Sequence, residues 1–110
     1  MKKIPLVLLA VVFFATLDVG AETGESLFRA LGCTSCHRAE KSSSINPSLV
    51  DIARAYQGKD QQLMGYLNGQ GDAIVKPEKA AMMKRFVEKT KTLEEPERAA
   101  LAAFILGHQR

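Results

Sequence analysis

The chain predicts an all-α domain of three to five helices, and three observations carry that expectation. Apolar residues recur at helical spacing in several segments, no segment shows the period-two alternation of a strand, and Gly, Pro and Ser clusters separate the periodic stretches. There are no internal repeats and no long low-complexity tract. A chain of 110 residues makes one domain with a small core of its own.

The first stretch is set apart from that domain. Lys2 and Lys3 form a basic n-region, residues 4–17 are an apolar run broken by Pro5 and Thr16, and Val19-Gly20-Ala21 precedes a cleavage point. This predicts a secretory signal peptide over residues 1–21, cut after Ala21, and a mature domain over residues 22–110. The competing reading is an uncleaved anchor, but the run is shorter than the ~20 residues a spanning helix needs. Removing Lys2, Lys3 and Asp18 from 15 basic and 12 acidic residues leaves a mild positive balance. That is too small to argue for nucleic acid.

Each helix has its own signals. Thr23 is placed to cap a first helix, with Glu25 in its first turn and Leu27, Phe28 and Leu31 on one side; Gly32 ends it. Residues 38–46 are polar, contain Ser42-Ser43-Ser44 and read as a loop. Asn46 and Pro47 can open a second helix as cap and first helical residue, with Leu49, Ile52, Ala53 and Tyr56 as its apolar face and Gly58 as its end. Asp60 can cap a third helix over residues 61–68, with Leu63, Tyr66 and Leu67 facing inward before Gly69-Gln70-Gly71 breaks the pattern. Residues 72–81 hold Pro77 and no clear period, and read as a loop wrapping over something. Met82 and Met83 follow, then a short helical patch with Phe86 and Val87. The last helix begins at Leu93-Glu94-Glu95-Pro96, with glutamates at its N-terminus and Pro96 tolerable in the first turn. Ala100, Leu101, Phe104 and Ile105 are its buried stripe, and Gly107 ends it.

The chemistry lies in Cys33-Thr34-Ser35-Cys36-His37. Two cysteines spaced C-x-x-C with histidine directly after the second read as a c-type haem attachment site. Each thiol can add across one haem vinyl group, two intervening residues let both sulfurs reach one ring edge, and His37 can turn its imidazole under the iron. A thioredoxin-like pair wants a βαβ context that is missing here. A structural zinc site needs four ligands, and the second histidine, His108, sits two residues from the C-terminus. A plain disulfide between Cys33 and Cys36 would constrain almost nothing. A buried haem would also enlarge the small core.

Over residues 22–110 the chain resembles the class I monohaem cytochrome c family in its small bacterial form. Gly24 and Phe28 match the Gly and aromatic of its first helix, and Cys33-Thr34-Ser35-Cys36-His37 its attachment motif. Asn46-Pro47-Ser48-Leu49 is similar to its Gly-Pro-x-Leu loop, and Leu101-Ala102-Ala103-Phe104-Ile105 to its last helix. The resemblance implies helices around one covalent haem c, with Phe104 packed across Gly24 and Phe28. It implies that the Pro47 carbonyl receives the His37 Nδ1–H, although Asn46 replaces the usual Gly. It also implies a distal methionine sulfur on a loop before the last helix, where Met82 and Met83 stand. The family often places an aliphatic residue four positions after that Met, which favours Met83 with Val87. Met64, His108 and an open site are the alternatives; Met64 reads as packing and His108 as a solvated residue near the terminus. Residues 84–92 read as a longer and more basic linker than usual.

The function implied is a soluble periplasmic one-electron carrier, monomeric, not an enzyme, without a membrane anchor after cleavage, whose partners are other redox proteins docked transiently. Lys76, Lys79, Lys84, Lys89 and Lys91 lie around the Met segment and would steer it toward an acidic patch, unless they are only a solvated charge run. The rival is a haem c subunit or domain serving an enzyme complex, peroxidase-like or gas-binding, with a labile sixth ligand.

Overall fold

The computed structural model describes residues 19–108, with five α-helices: α1 Val19–Ala30, α2 Leu49–Ala55, α3 Asp60–Leu67, α4 Ala80–Thr90 and α5 Glu95–Leu106. Single 3₁₀ turns stand at Cys33–Ser35 and Pro77–Lys79, and no strand occurs among the described residues. The all-α expectation holds at the upper end of its range. The leader expected over residues 1–21 lies outside the described residues except for its last three. None of the described helices is long and apolar enough to cross a membrane.

Helix α5 is the central element and packs against α1, α2 and α3. Its Leu101, Ala102 and Ile105 meet Phe28, Leu49, Tyr56, Leu63 and Leu67 in one buried cluster. Full burial of each large apolar side chain contributes about 1.5–3 kcal/mol. The start of α5 is a capping box built from glutamates. The Glu94 carboxylate accepts from the Glu97 N–H, and the Glu97 carboxylate accepts from the Glu94 N–H at 3.2 Å. Pro96 sits in the first turn, where its missing N–H removes no intrahelical bond.

The α1–α5 crossing depends on Gly24. A Cβ there would overlap the Ala100 carbonyl and stand 2.7 Å from the Phe104 Cβ. The bare glycine lets the two backbones close, and the Phe28 and Phe104 rings then meet at 5.3 Å, tilted by 54°. Phe104 thus packs across Gly24 and Phe28 as the resemblance implies.

Four local expectations are corrected, the first at Asp60, which is the first residue of α3 and not its cap. In the uncleaved chain Thr23 does not cap α1, because the helix there is already formed at Val19. Asn46 and Pro47 do not open α2; Ser48 is its N-cap, and the Ser48 hydroxyl accepts from the Asp51 N–H at 3.1 Å. A serine hydroxyl satisfies an unpaired N–H of the first turn and ends the competition in favour of the later start. Met82 and Met83 are not on a loop: they lie in the first turns of α4, and the expected linker over residues 84–92 is mostly that helix.

Gly24→Ala tests the crossing. Alanine favours a helix interior over glycine by about 0.5–1 kcal/mol, but overpacking at a closed backbone contact costs about 1–3 kcal/mol. A net loss of stability is expected in denaturant titration, and a variant as stable as the parent would mean that the helices are not in contact here.

Candidate functional site

The Cys-x-x-Cys-His segment is held by its own backbone. Gly32 enters it at φ 82°, a left-handed conformation that side chains disfavour. The Cys36 and His37 N–H groups both return to the Cys33 carbonyl, at 3.2 and 2.9 Å. This tight turn brings Cys33, Cys36 and His37 to the wall of one cleft. Both thiols are free, Cys33 half-buried and Cys36 exposed. Burial pushes the Cys33 thiol above its ordinary value of 9.0, against the opposing pull of a backbone hydrogen bond and Lys89.

His37 is oriented from ten residues away. Its Nδ1 lies 2.9 Å from the Pro47 carbonyl oxygen. A carbonyl can only accept, so Nδ1 carries the hydrogen and Nε2 keeps the free lone pair. The corrected start of α2 makes this possible. As the first helical residue, Pro47 would offer its carbonyl to the helix; outside it, that carbonyl is available to His37. The loop over residues 38–46 holds it there. The Leu49 and Val50 N–H groups donate to the Arg38 and Ala39 carbonyls, at 2.8 and 3.1 Å. The Ser42 hydroxyl accepts from the Ser48 N–H at 3.2 Å and donates to the Asp51 carboxylate. That hydroxyl holds the Asp51 carboxyl below its ordinary value.

The cleft is apolar in its depth, where Ile52, Leu63, Leu67 and Ile105 line it. Residues 72–81, read as a wrapping segment, contribute Ile74 and Val75 to another wall. Helix α4 contributes Met82, Met83 and Phe86. Met82 is 53 % exposed, whereas Met83 is half-buried. Met64 packs on the core and is not part of the lining. His108 is not solvated as expected: its Nδ1 lies 2.9 Å from the Phe104 carbonyl and its ring packs edge-on to Phe104 at 4.8 Å, away from the cleft. Among the described residues no three His, Cys, Asp or Glu side chains cluster as a metal site, as the zinc reading would need.

Several contributors to the cleft escaped the sequence reading. Ile74 and Val75 have no helical partners in sequence, and their only signal is an apolar pair inside a polar segment. Lys76, expected among the surface lysines, instead donates its Nζ to the Ser43 and Ser44 carbonyls at 3.2 and 3.1 Å, tying the two sides of the cleft mouth. Lys91 pairs with Glu88 at 3.3 Å. Arg85 and Lys89 stand over the Phe86 ring at 4.9 and 5.5 Å, contacts of cation–π type.

A cytochrome c family model matches residues 21–109. The chain belongs to the cytochrome c family, whose members carry covalently attached haem c and transfer electrons with it. No curated protein matches the chain closely. The residues present fit that cofactor: two free thiols on one turn, an imidazole with Nε2 available, and apolar walls for a flat ring.

Tyr56, at the end of α2, reaches across to the Ile74 main chain. Burial pushes its hydroxyl from 10.0 up to about 12, with Tyr66 adding to the rise and the Ile74 hydrogen bond opposing it. The unfolded chain therefore ionises this group first. Its contribution to stability is complete below pH 10 and is lost as pH rises toward about 12. Tyr56→Phe is expected to flatten the alkaline fall of unfolding free energy in that window; an unchanged fall would place its cause elsewhere.

Proposed function

We propose that the protein is a soluble, monomeric one-electron carrier of the periplasm, with His37 and Met83 as the two axial ligands of its haem iron, and that it is not itself an enzyme. The observation that carries this reading is that His37, already oriented by Pro47, and Met83 line one apolar cleft. The haem, when bound, supplies the Fe(II)/Fe(III) couple. Cys33 and Cys36 would hold the ring as thioethers. The Pro47 carbonyl holds the His37 ring in one tautomer and raises the basicity of Nε2. Met83 would supply a thioether, which would raise the potential and fill the position that a substrate would need. The apolar walls exclude water, so the charge change meets a low-dielectric surround.

Export follows from the leader pattern of residues 1–21, with cleavage after Ala21 and no anchor remaining. The family match begins next to that boundary. The partners are redox proteins docked weakly at the cleft mouth, where Lys79 and Arg85 line the opening and Lys89 stands over Phe86 beside them. Lys76 and Lys91 are committed to contacts within the chain.

Replacing Met83 by alanine tests the ligation. The Met–Fe(III) charge-transfer band should vanish, the potential should fall and the ferrous protein should bind carbon monoxide, with haem still attached. Met82→Ala should leave all three unchanged. The double variant checks whether the neighbouring Met substitutes. Carbon monoxide binding by the unaltered protein would instead favour the rival, a haem c subunit with a labile sixth ligand.

Docking is tested by salt. Electron transfer with an acidic partner should slow as ionic strength rises through ~0.1 M, where the screening length is ~10 Å. A flat dependence would leave these cations as ordinary solvated surface.

A further inference from the structure

We propose that Arg98 and Thr90 are positioning residues that set the rotation of α4 and thereby present Met83, rather than Met82, to the iron; this rests on the His37/Met83 reading above. Arg98 is a buried cation, 8 % exposed, and among the described residues it forms no ion pair. Its guanidinium donates instead to three main-chain carbonyls: Thr90 at 3.2 Å, Lys91 at 3.1 Å and Leu93 at 2.6 Å. These belong to the last residue of α4 and the turn beyond it, where a helix carries partial negative charge and unpaired acceptors. A buried guanidinium is costly unless its donors are satisfied, so the arrangement holds only while the end of α4 stays in place.

Thr90 pins the same end from the other side. It is buried, and its hydroxyl donates to the Leu67 carbonyl at the end of α3 at 2.6 Å. The α4 helix is thus tied at its C-terminus to both α3 and α5. Its N-terminal half is on the cleft wall, through Ala80, Met82, Met83 and Phe86.

Helical geometry connects the two ends. Met83 precedes Thr90 by seven residues, about 10 Å along the axis and nearly two full turns, so the two share a face. Met82 is rotated about 100° from Met83, in keeping with its greater exposure. Facing Thr90 toward α3 therefore turns Met83 further into the cleft than Met82, which stays at the exposed edge of the same wall. No cap fixes the other end: Lys79 makes no side-chain cap bond there. The choice between adjacent methionines is made by the distant, pinned end.

The test uses the full haem-loaded protein and exogenous imidazole, which competes with the sulfur for ferric iron. Loosening α4 should make the sulfur easier to displace. Arg98→Met is expected to raise the apparent imidazole affinity about tenfold or more, and Arg98→Lys, which keeps the charge but not the fork, by less. Thr90→Val removes only the hydroxyl and should raise it severalfold. In a Met83→Ala background the same substitutions should add nothing further. An Arg98→Met protein of lower unfolding midpoint but unchanged imidazole affinity would make the residue merely structural and overturn the proposal. If that variant does not accumulate with haem, unchanged affinity in Thr90→Val overturns it equally. If the unaltered protein already binds imidazole as tightly as Met83→Ala does, the sulfur ligand fails and this inference falls with it.

Discussion

The hydrogen bond from His37 Nδ1 to the Pro47 carbonyl joins the motif to the fold. On one side is a five-residue turn that could exist in many proteins. On the other is a loop whose backbone is satisfied by the first turn of α2. The bond forms because Pro47 lies just outside that helix, and Pro47 lies outside because Ser48 caps it. A capping interaction of order 1 kcal/mol thereby decides which acceptor faces the imidazole. Histidines that bind a metal depend on such a partner for tautomer and orientation, so a local choice at a helix end would reach the electronic properties of a haem held at His37.

The two sides of the cleft are held by different physics. The His37 side is a mesh of short-range hydrogen bonds among residues 37–51, including Ser42, Ser48 and Asp51. The Met83 side is a helix fixed at its far end by Arg98 and Thr90. Lys76 links the sides at the mouth. Below both, α5 packs on α1, α2 and α3, and the bare Gly24 lets α1 come close. A small domain gains from this division, because its core is limited and the apolar walls of the cleft find their natural contact in a buried ring.

Which features were legible in sequence follows from the range of the forces behind them. The attachment motif, the glycine stops, the helical stripes of α3 and α5 and the Gly24–Phe28–Phe104 contact were all readable, because each is encoded by residues at fixed local spacing or by a family pattern. The start of α2, the extension of α4 back through Met83 and Met82 to Ala80 and the packing of His108 were not. At α2 the sequence signal is Asn46-Pro47, and only the bonds made by the preceding loop favour a start two residues later, at Ser48. In α4 the resemblance places the two methionines on a loop, and only the structure carries the helix back to Ala80.

The sequence by itself determined that this chain is all-helical, that it carries a c-type attachment motif, and that His37, Pro47 and one of two adjacent methionines are the residues to consider. These are properties of spacing, and spacing is written in the chain. Tertiary structure alone decided which carbonyls Arg98 and Lys76 would serve, that Ile74 and Val75 would line the cleft, and that Met83 would be half-buried while Met82 stayed exposed. Those outcomes depend on the rotation and approach of elements far apart in sequence, which are set by packing and by the need to satisfy every buried polar group, and no local pattern contains that information.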